Sequence, residues 1–155
     1  MHIQPARDLY PISVDQPCDL GWALSSAFDR YRLLVEPLFA QFPRGIRGYQ
    51  LLYTVVHYRV ARQNELAAYL GIDRTVLTYV IEDLCRAGLA EKQVSSEDRR
   101  IRIVEATPQG RTLVEETQQP LRQAEEVFFA GLSPDDSRIF RYLLSNIAVA
   151  FRSEH

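Results

Sequence analysis

The chain is poor in the residues that mark several common protein classes. It holds only two cysteines, Cys18 and Cys85, in 155 residues. Two thiols cannot build the disulfide framework of a small secreted domain, and they suit a reducing compartment. The three histidines, His2, His57 and His155, are too scattered to share a metal. No apolar run approaches the roughly 18 residues that span a bilayer. The opening twenty residues lack the apolar core of a signal peptide, so a cytoplasmic location and no membrane partner are expected. Also missing are a Gly-rich phosphate loop, a Gly-x-Ser-x-Gly elbow and a His-Glu-x-x-His pair. No catalytic residue, metal site or cofactor is therefore expected, and an enzyme is not the reading these residues favour.

What remains is a globular composition. The hydrophobic share is 46% and the charged share 25%, enough for one core or for one core plus a dimerisation element. The formal charge is −2, but it is unevenly spread. Residues 43–112 carry eleven Lys/Arg against eight Asp/Glu, and the rest carries seven against twelve. A basic centre on acidic flanks fits a nucleic-acid-facing lobe on a scaffold that avoids phosphate.

Helical periodicity dominates. Residues 1–14 read as an arm. A helix starts near Asp15 or Asp19, with Leu20, Leu24, Phe28, Tyr31, Val35, Leu38 and Phe42 on one face. Pro37 removes a backbone donor, which predicts a kink or an end near residues 33–37. Pro43-Arg44-Gly45 is a break. A second helix covers roughly 46–58, with Leu52, Val55 and Val56 inward. A third runs from Gln63 to Leu70, where Gly71 closes it. Asp73 caps a fourth that reaches Ala87, with Leu77, Val80, Ile81 and Leu84 as a buried stripe against Leu66 and Leu70. Leu89–Val94 and Ile101–Ala106 read as strands around a polar tip. Thr107 and Pro108 open a long helix that Pro120 should bend, and Ser133-Pro134-Asp135-Asp136 opens the last, with Phe140, Leu144, Ile147 and Phe151 near one face.

Helix, tight turn, helix and basic hairpin, in that order between Arg62 and Gly110, form a winged helix-turn-helix. It sets one helix in the DNA major groove and a loop on the neighbouring backbone or minor groove. The fold class expected is mostly α (α+β): a winged helix-turn-helix with long N- and C-terminal helices forming a dimerisation lobe. The chain is expected to be one unit over 1–155, with dimerisation helices at 15–45 and 108–155 and the DNA-binding lobe at 46–107. The end helices carry more apolar surface than a small winged helix covers. A homodimer with interdigitated ends would bury it, setting two reading heads roughly 34 Å apart on double-stranded DNA.

The stretch GIDRTVLTYVIEDLCRAGLAEKQVSSEDRRIRIVEATPQG resembles the MarR family of bacterial transcriptional regulators. The family's wing signature, Asp-x-Arg and then Leu-Thr-x-x-Gly, is met by Asp98, Arg100, Ala106, Thr107 and Gly110, and Gly131–Asp136 resembles the turn into its last helix. The resemblance implies an obligate dimer on a pseudo-palindromic operator, usually a repressor, often released by a small aromatic effector bound between the dimer and DNA lobes. Three positions depart from the pattern. Arg62 stands where a capping Thr is usual, leaving a weaker cap or a phosphate contact. Val76 and Tyr79 replace the frequent Ser/Thr and Arg/Lys, and Ala106 replaces a Leu that would pack the strand end more tightly.

The residues expected at DNA are Arg62, Arg74, Thr75, Val76, Thr78, Tyr79, Lys92, Asp98, Arg99, Arg100 and Arg102. Arg suits guanine edges or phosphate, Thr bonds either, and Val and Thr methyls suit thymine methyls. Glu82 and Asp83 should sit away from DNA or pair with Arg86. Asp98 and Arg100 are expected to form an ion pair that shapes the wing tip. For an effector, Trp22, Phe28, Tyr49, Tyr53 and His57 are the aromatic candidates, an aromatic core being the plainer reading of the same residues. Two alternatives stand beside this. One is a thiol sensor at Cys18, since GWALSSA loosely resembles a hydroperoxide-sensing motif whose cysteine would fall on Gly21. The other is a winged helix used for protein contacts alone.

Overall fold

The computed structural model describes residues 18–58, 62–96 and 98–152. The expected arm, the alternative cap Asp15 and the side chain of Phe151 lie outside the described residues. Among the described residues, six α-helices and one hairpin follow in the order α1 (Leu20–Val35), α2 (Ile46–Tyr58), α3 (Gln63–Leu70), α4 (Arg74–Arg86), β1 (Ala90–Val94), β2 (Arg102–Ala106), α5 (Pro108–Phe128) and α6 (Pro134–Arg152).

Local chemistry sets the boundaries. Asp19 accepts the Trp22 N–H at 2.8 Å and so starts α1. Pro37 falls in the first turn of a 3-10 helix, Glu36–Phe39, directly after α1 ends. A proline at that position breaks no hydrogen bond, because a first-turn N–H has no partner inside the helix. The chain then reverses through Arg44 and Gly45, both with positive φ (64° and 57°). Gly48 follows in α2, where a Cβ would drive into the Pro43 carbonyl. α5 continues through Pro120. Pro120 and Glu116, whose carbonyl loses its partner there, are both exposed, so water can serve that oxygen.

One core holds α2 to α5 and the hairpin together. The stripe Leu77, Val80, Ile81 and Leu84 is at most 1% exposed and meets Leu66, Leu51 and Leu52, all at 0%. Full burial of such side chains is worth roughly 1.5–3 kcal/mol each. Val104 and Ala106 of β2 and Val114 of α5 close the core on the hairpin side. β1 and β2 pair antiparallel with Ala90 opposite Ala106 and Val94 opposite Arg102. Ala106 is buried although smaller than the usual Leu. Thr107 locks the strand end: its hydroxyl donates to the Gly88 carbonyl at 2.7 Å and accepts the Gly110 N–H at 3.1 Å. Gly110 lies so close to the Leu89 carbonyl that no Cβ fits, which gives the Thr-x-x-Gly spacing a steric cause.

The apolar stripe of α1 divides. Val35 and, beyond the helix, Phe42 are buried, but Leu20, Leu24 and Phe28 are 72%, 54% and 60% exposed. On α6, Ile139, Phe140, Leu143, Leu144, Ile147 and Val149 are exposed. Both helices reach past the single chain's core, in line with the excess of apolar surface read from the end helices in the sequence.

Candidate nucleic-acid interface

The turn between α3 and α4 is built by three residues. Gly71 takes a left-handed φ of 62°. Its N–H bonds the Ala68 carbonyl while that of Ile72 bonds Ala67, which closes α3. Asp73 then caps α4 by accepting the N–H groups of Thr75 (2.8 Å) and Val76 (3.3 Å). Those donors hold the Asp73 carboxyl below the usual carboxylate range.

With one stripe of α4 buried, the opposite face shows Arg74, Thr75, Val76 and Tyr79, all exposed, with Thr78 half-buried beside them. Thr78 donates to the Arg74 carbonyl at 2.9 Å and accepts from Gln63 Nε2 at 3.4 Å. Gln63 therefore braces the reading helix from α3, a role no periodicity announces. Farther along, Asp83 is taken up by Arg44 (2.6 Å) and Arg86 (2.7 Å). Both guanidinium groups, with Arg44 first, lower its pKa. Arg86 is the partner foreseen for this acid; Arg44, from the α1–α2 turn, is not. Glu82 pairs with Lys92 at 3.7 Å. Lys92 thus sits on β1 as a neighbour of α4 rather than as an isolated cation.

The wing carries one correction. The Asp98 carboxylate accepts the backbone N–H of Arg100 at 2.8 Å. The expected ion pair with the Arg100 guanidinium is absent among the described residues; the carboxylate instead closes a turn through the backbone. The tip is fastened further by Ile101 N–H to the Asp98 carbonyl and Ser95 N–H to Ile101, both at 3.0 Å. Arg99, Arg100 and Arg102 are exposed. Arg62 precedes α3 without a side-chain cap, in extended backbone that bridges Ile103 of β2. Its guanidinium lies 3.7 Å from Glu65. A groove of about 360 Å³ runs from here to the wing, lined by Arg62, Arg100 and Arg102 among others.

The five aromatic candidates do not share a cavity. Tyr49 is buried, stacked on Phe39 at 4.5 Å, and its hydroxyl accepts from Gln118 at 2.8 Å. Burial raises its pKa and that of half-buried Tyr53. Tyr53 packs on His57 at 4.3 Å. Trp22 is exposed. Phe28 alone of the five lines a cavity of about 580 Å³, with Tyr31, Glu125, Phe128, Phe129, Phe140 and Arg141 around it. There Arg141 lies 2.8 Å from Glu125 and 4.7 Å from the Phe129 ring centre. Burial, with Glu125 beside it, pushes the Tyr31 phenol up to about 12. Residues 125–145 supplied no sequence candidate, because the α5–α6 return that brings them to α1 is a tertiary event. Cys18 precedes the α1 cap and is half-buried; Cys85 is half-buried too, and desolvation raises its pKa.

A buried-backed reading helix, a tight glycine turn and a basic hairpin define a winged helix-turn-helix protein. Residues 49–101 match the model of the family described as MarR family. The uncharacterised HTH-type transcriptional regulator YwaE of Bacillus subtilis (strain 168) is 25% identical over 101 residues, which span 65% of this chain and 59% of YwaE. Among solved structures, BpsR of Bordetella bronchiseptica, whose DNA binding is regulated by 6-hydroxynicotinic acid, superposes with a TM-score of 0.74 at 24% identity, over 90% of this chain and 98% of its own. A MarR mutant from E. coli complexed with operator DNA gives 0.72 at 18% identity, over 93% and 98%. At such identities these likenesses establish the fold. The stretch that matches the MarR family model runs from α2 to the wing, and the curated protein it resembles is described as a transcriptional regulator. Among the described residues no helix is long and apolar enough to cross a membrane.

Proposed function

We propose that this protein is a DNA-binding transcriptional regulator that acts as a homodimer on a pseudo-palindromic operator, usually as a repressor. The observation that carries the reading is the division of α4. Its inner stripe is at most 1% exposed, so its outer face, with Arg74, Thr75, Val76 and Tyr79, is held outward. A helix offered this way fits the major groove, and Arg99, Arg100 and Arg102 fit the flanking phosphates or minor groove. The operator complex of the E. coli relative supports the same use of the fold.

Dimerisation is supported by the exposed apolar residues of α1 and α6. A patch of that kind on a small protein marks an association surface. An aromatic effector is supported by the cavity around Phe28 and Phe129, whose volume of about 580 Å³ suits a small ligand. Arg141 supplies a cation for an acidic group, in competition with Glu125.

Retardation of the DNA upstream of the protein's own gene, by a species with the mass of two chains, is the test. Release on adding salicylate supports the effector. If no promoter fragment near the locus is retarded, the regulator reading falls. Release by peroxide that is lost in Cys18→Ser would favour the thiol sensor instead.

A further inference from the structure

We propose that α4 reads thymine C5-methyl groups, through Val76, the methyl of Thr78 and the ring of Tyr79. Its half-site then carries thymines where these side chains enter the major groove. The inference rests on the DNA-binding reading above and adds what in the DNA is recognised.

The reading face offers few hydrogen bonds to bases. A threonine hydroxyl has one hydrogen and two lone pairs. That of Thr78 spends its hydrogen on the Arg74 carbonyl at 2.9 Å and accepts from Gln63 at 3.4 Å. It has nothing left to donate to a base edge. With that oxygen turned back onto its own helix and α3, the other branch at Cβ is the methyl. Thr75 lies in the first turn, where its backbone N–H donates to the Asp73 carboxylate at 2.8 Å, and its hydroxyl, like Arg74, suits a base edge or phosphate. Glu82, one turn on, lines the same shallow groove with Thr78 and Tyr79 but is held by Lys92 at 3.7 Å.

What the face does offer is apolar. Val76 is 42% exposed and Tyr79 54% exposed. Both stand on the face opposite the buried stripe. In the major groove of unmodified DNA the apolar feature of a base pair is the thymine methyl; the other edges present donors and acceptors. Val76, the ring of Tyr79 and the Thr78 methyl match that feature, and the Tyr79 hydroxyl can add a hydrogen bond to a neighbouring base edge or phosphate. Arg74, at the start of the helix, remains to contact guanine or phosphate.

The test uses the full chain and a duplex selected by it from a random library. Each thymine of the selected site is replaced in turn by deoxyuridine, which removes the methyl and keeps every base-edge hydrogen bond. Affinity is read by fluorescence anisotropy. One or more thymines in each half-site are expected to lose about fourfold on replacement, the worth of one buried methyl-sized group. That loss is expected to vanish in Val76→Ala, Thr78→Ser or Tyr79→Ala, whichever touches the thymine in question. Thr78→Ser keeps the hydroxyl and removes the methyl alone, so it leaves the brace to Gln63 intact. A deoxyuridine scan flat to within twofold, or a loss equal in wild type and in all three variants, overturns methyl reading while DNA binding stands. A library from which no duplex is enriched overturns the DNA-binding reading itself, and methyl reading with it.

Discussion

Arg100→Ala isolates the wing's electrostatic role. The residue's backbone N–H, not its guanidinium, is what Asp98 holds at 2.8 Å, and its side chain is exposed. Truncation therefore leaves the turn closed and the hairpin paired. In a dimer the substitution removes two guanidinium groups from the DNA. Each neutralised phosphate contributes about −0.9 to the slope of log affinity against log salt, so the slope should shallow by about 1.8. Across a fourfold rise in salt, from about 50 to 200 mM, the wild type should lose about tenfold more affinity than the variant. Anisotropy titrations at four or five salt concentrations, with dimer mass checked by light scattering, read this directly. Parallel slopes for the two proteins would refute the reasoning and remove the wing from the phosphate contact.

Three further outcomes follow from the packing. Ile147→Glu places a charge where α6 is 69% exposed in the single chain. The monomer should tolerate it, but the dimer should dissociate on the order of a hundredfold more readily, the effect of about 3 kcal/mol for an uncompensated charge; an unchanged dimer mass in sedimentation rejects α6 as the interface. Gly110→Ala forces a Cβ against the Leu89 backbone. Overpacking of about 1–3 kcal/mol should outweigh the helix-propensity gain of about 1 kcal/mol, and a urea midpoint that rises would contradict that. Asp73 has its pKa lowered by the α4 N–H groups, so its stabilisation is full above the unfolded value of about 3.9 and is lost as pH falls through the folded one. The melting-temperature gap between wild type and Asp73→Asn should shrink as the medium is acidified below about pH 4; a constant gap would show that the carboxylate's charge adds nothing to the cap.

The helix-turn-helix was legible because its determinants are local. Gly71 and Asp73 act within four residues of themselves, and the 3.6-residue stripe from Leu77 to Leu84 names its own buried face. The wing was legible in outline, yet the job of Asp98 was not. Asp-x-Arg reads equally well as an ion pair or as a carboxylate closing a turn, and backbone geometry decides between them. The aromatic residues left a core and a ligand site both open for a related reason. Tyr49, Tyr53 and His57 share one helix face, but Phe39, on the preceding 3-10 helix, and Gln118, far off in sequence, draw Tyr49 into the core.

Arg44 and Gln63 show the same limit. Arg44 reaches Asp83 across 39 positions and Gln63 reaches Thr78 across 15. No spacing rule connects such pairs, because each forms only after two helices have packed. By itself the amino-acid order decided where helices start and stop, which face of α4 goes inward, and that a basic hairpin follows it. These are choices made by caps, glycines and apolar period within a turn or two of chain. Tertiary structure alone decided which hydroxyls remain for a ligand, which acids are neutralised, and that the α1–α5–α6 junction encloses a cavity. Those are matters of what distant segments leave exposed once the core has closed.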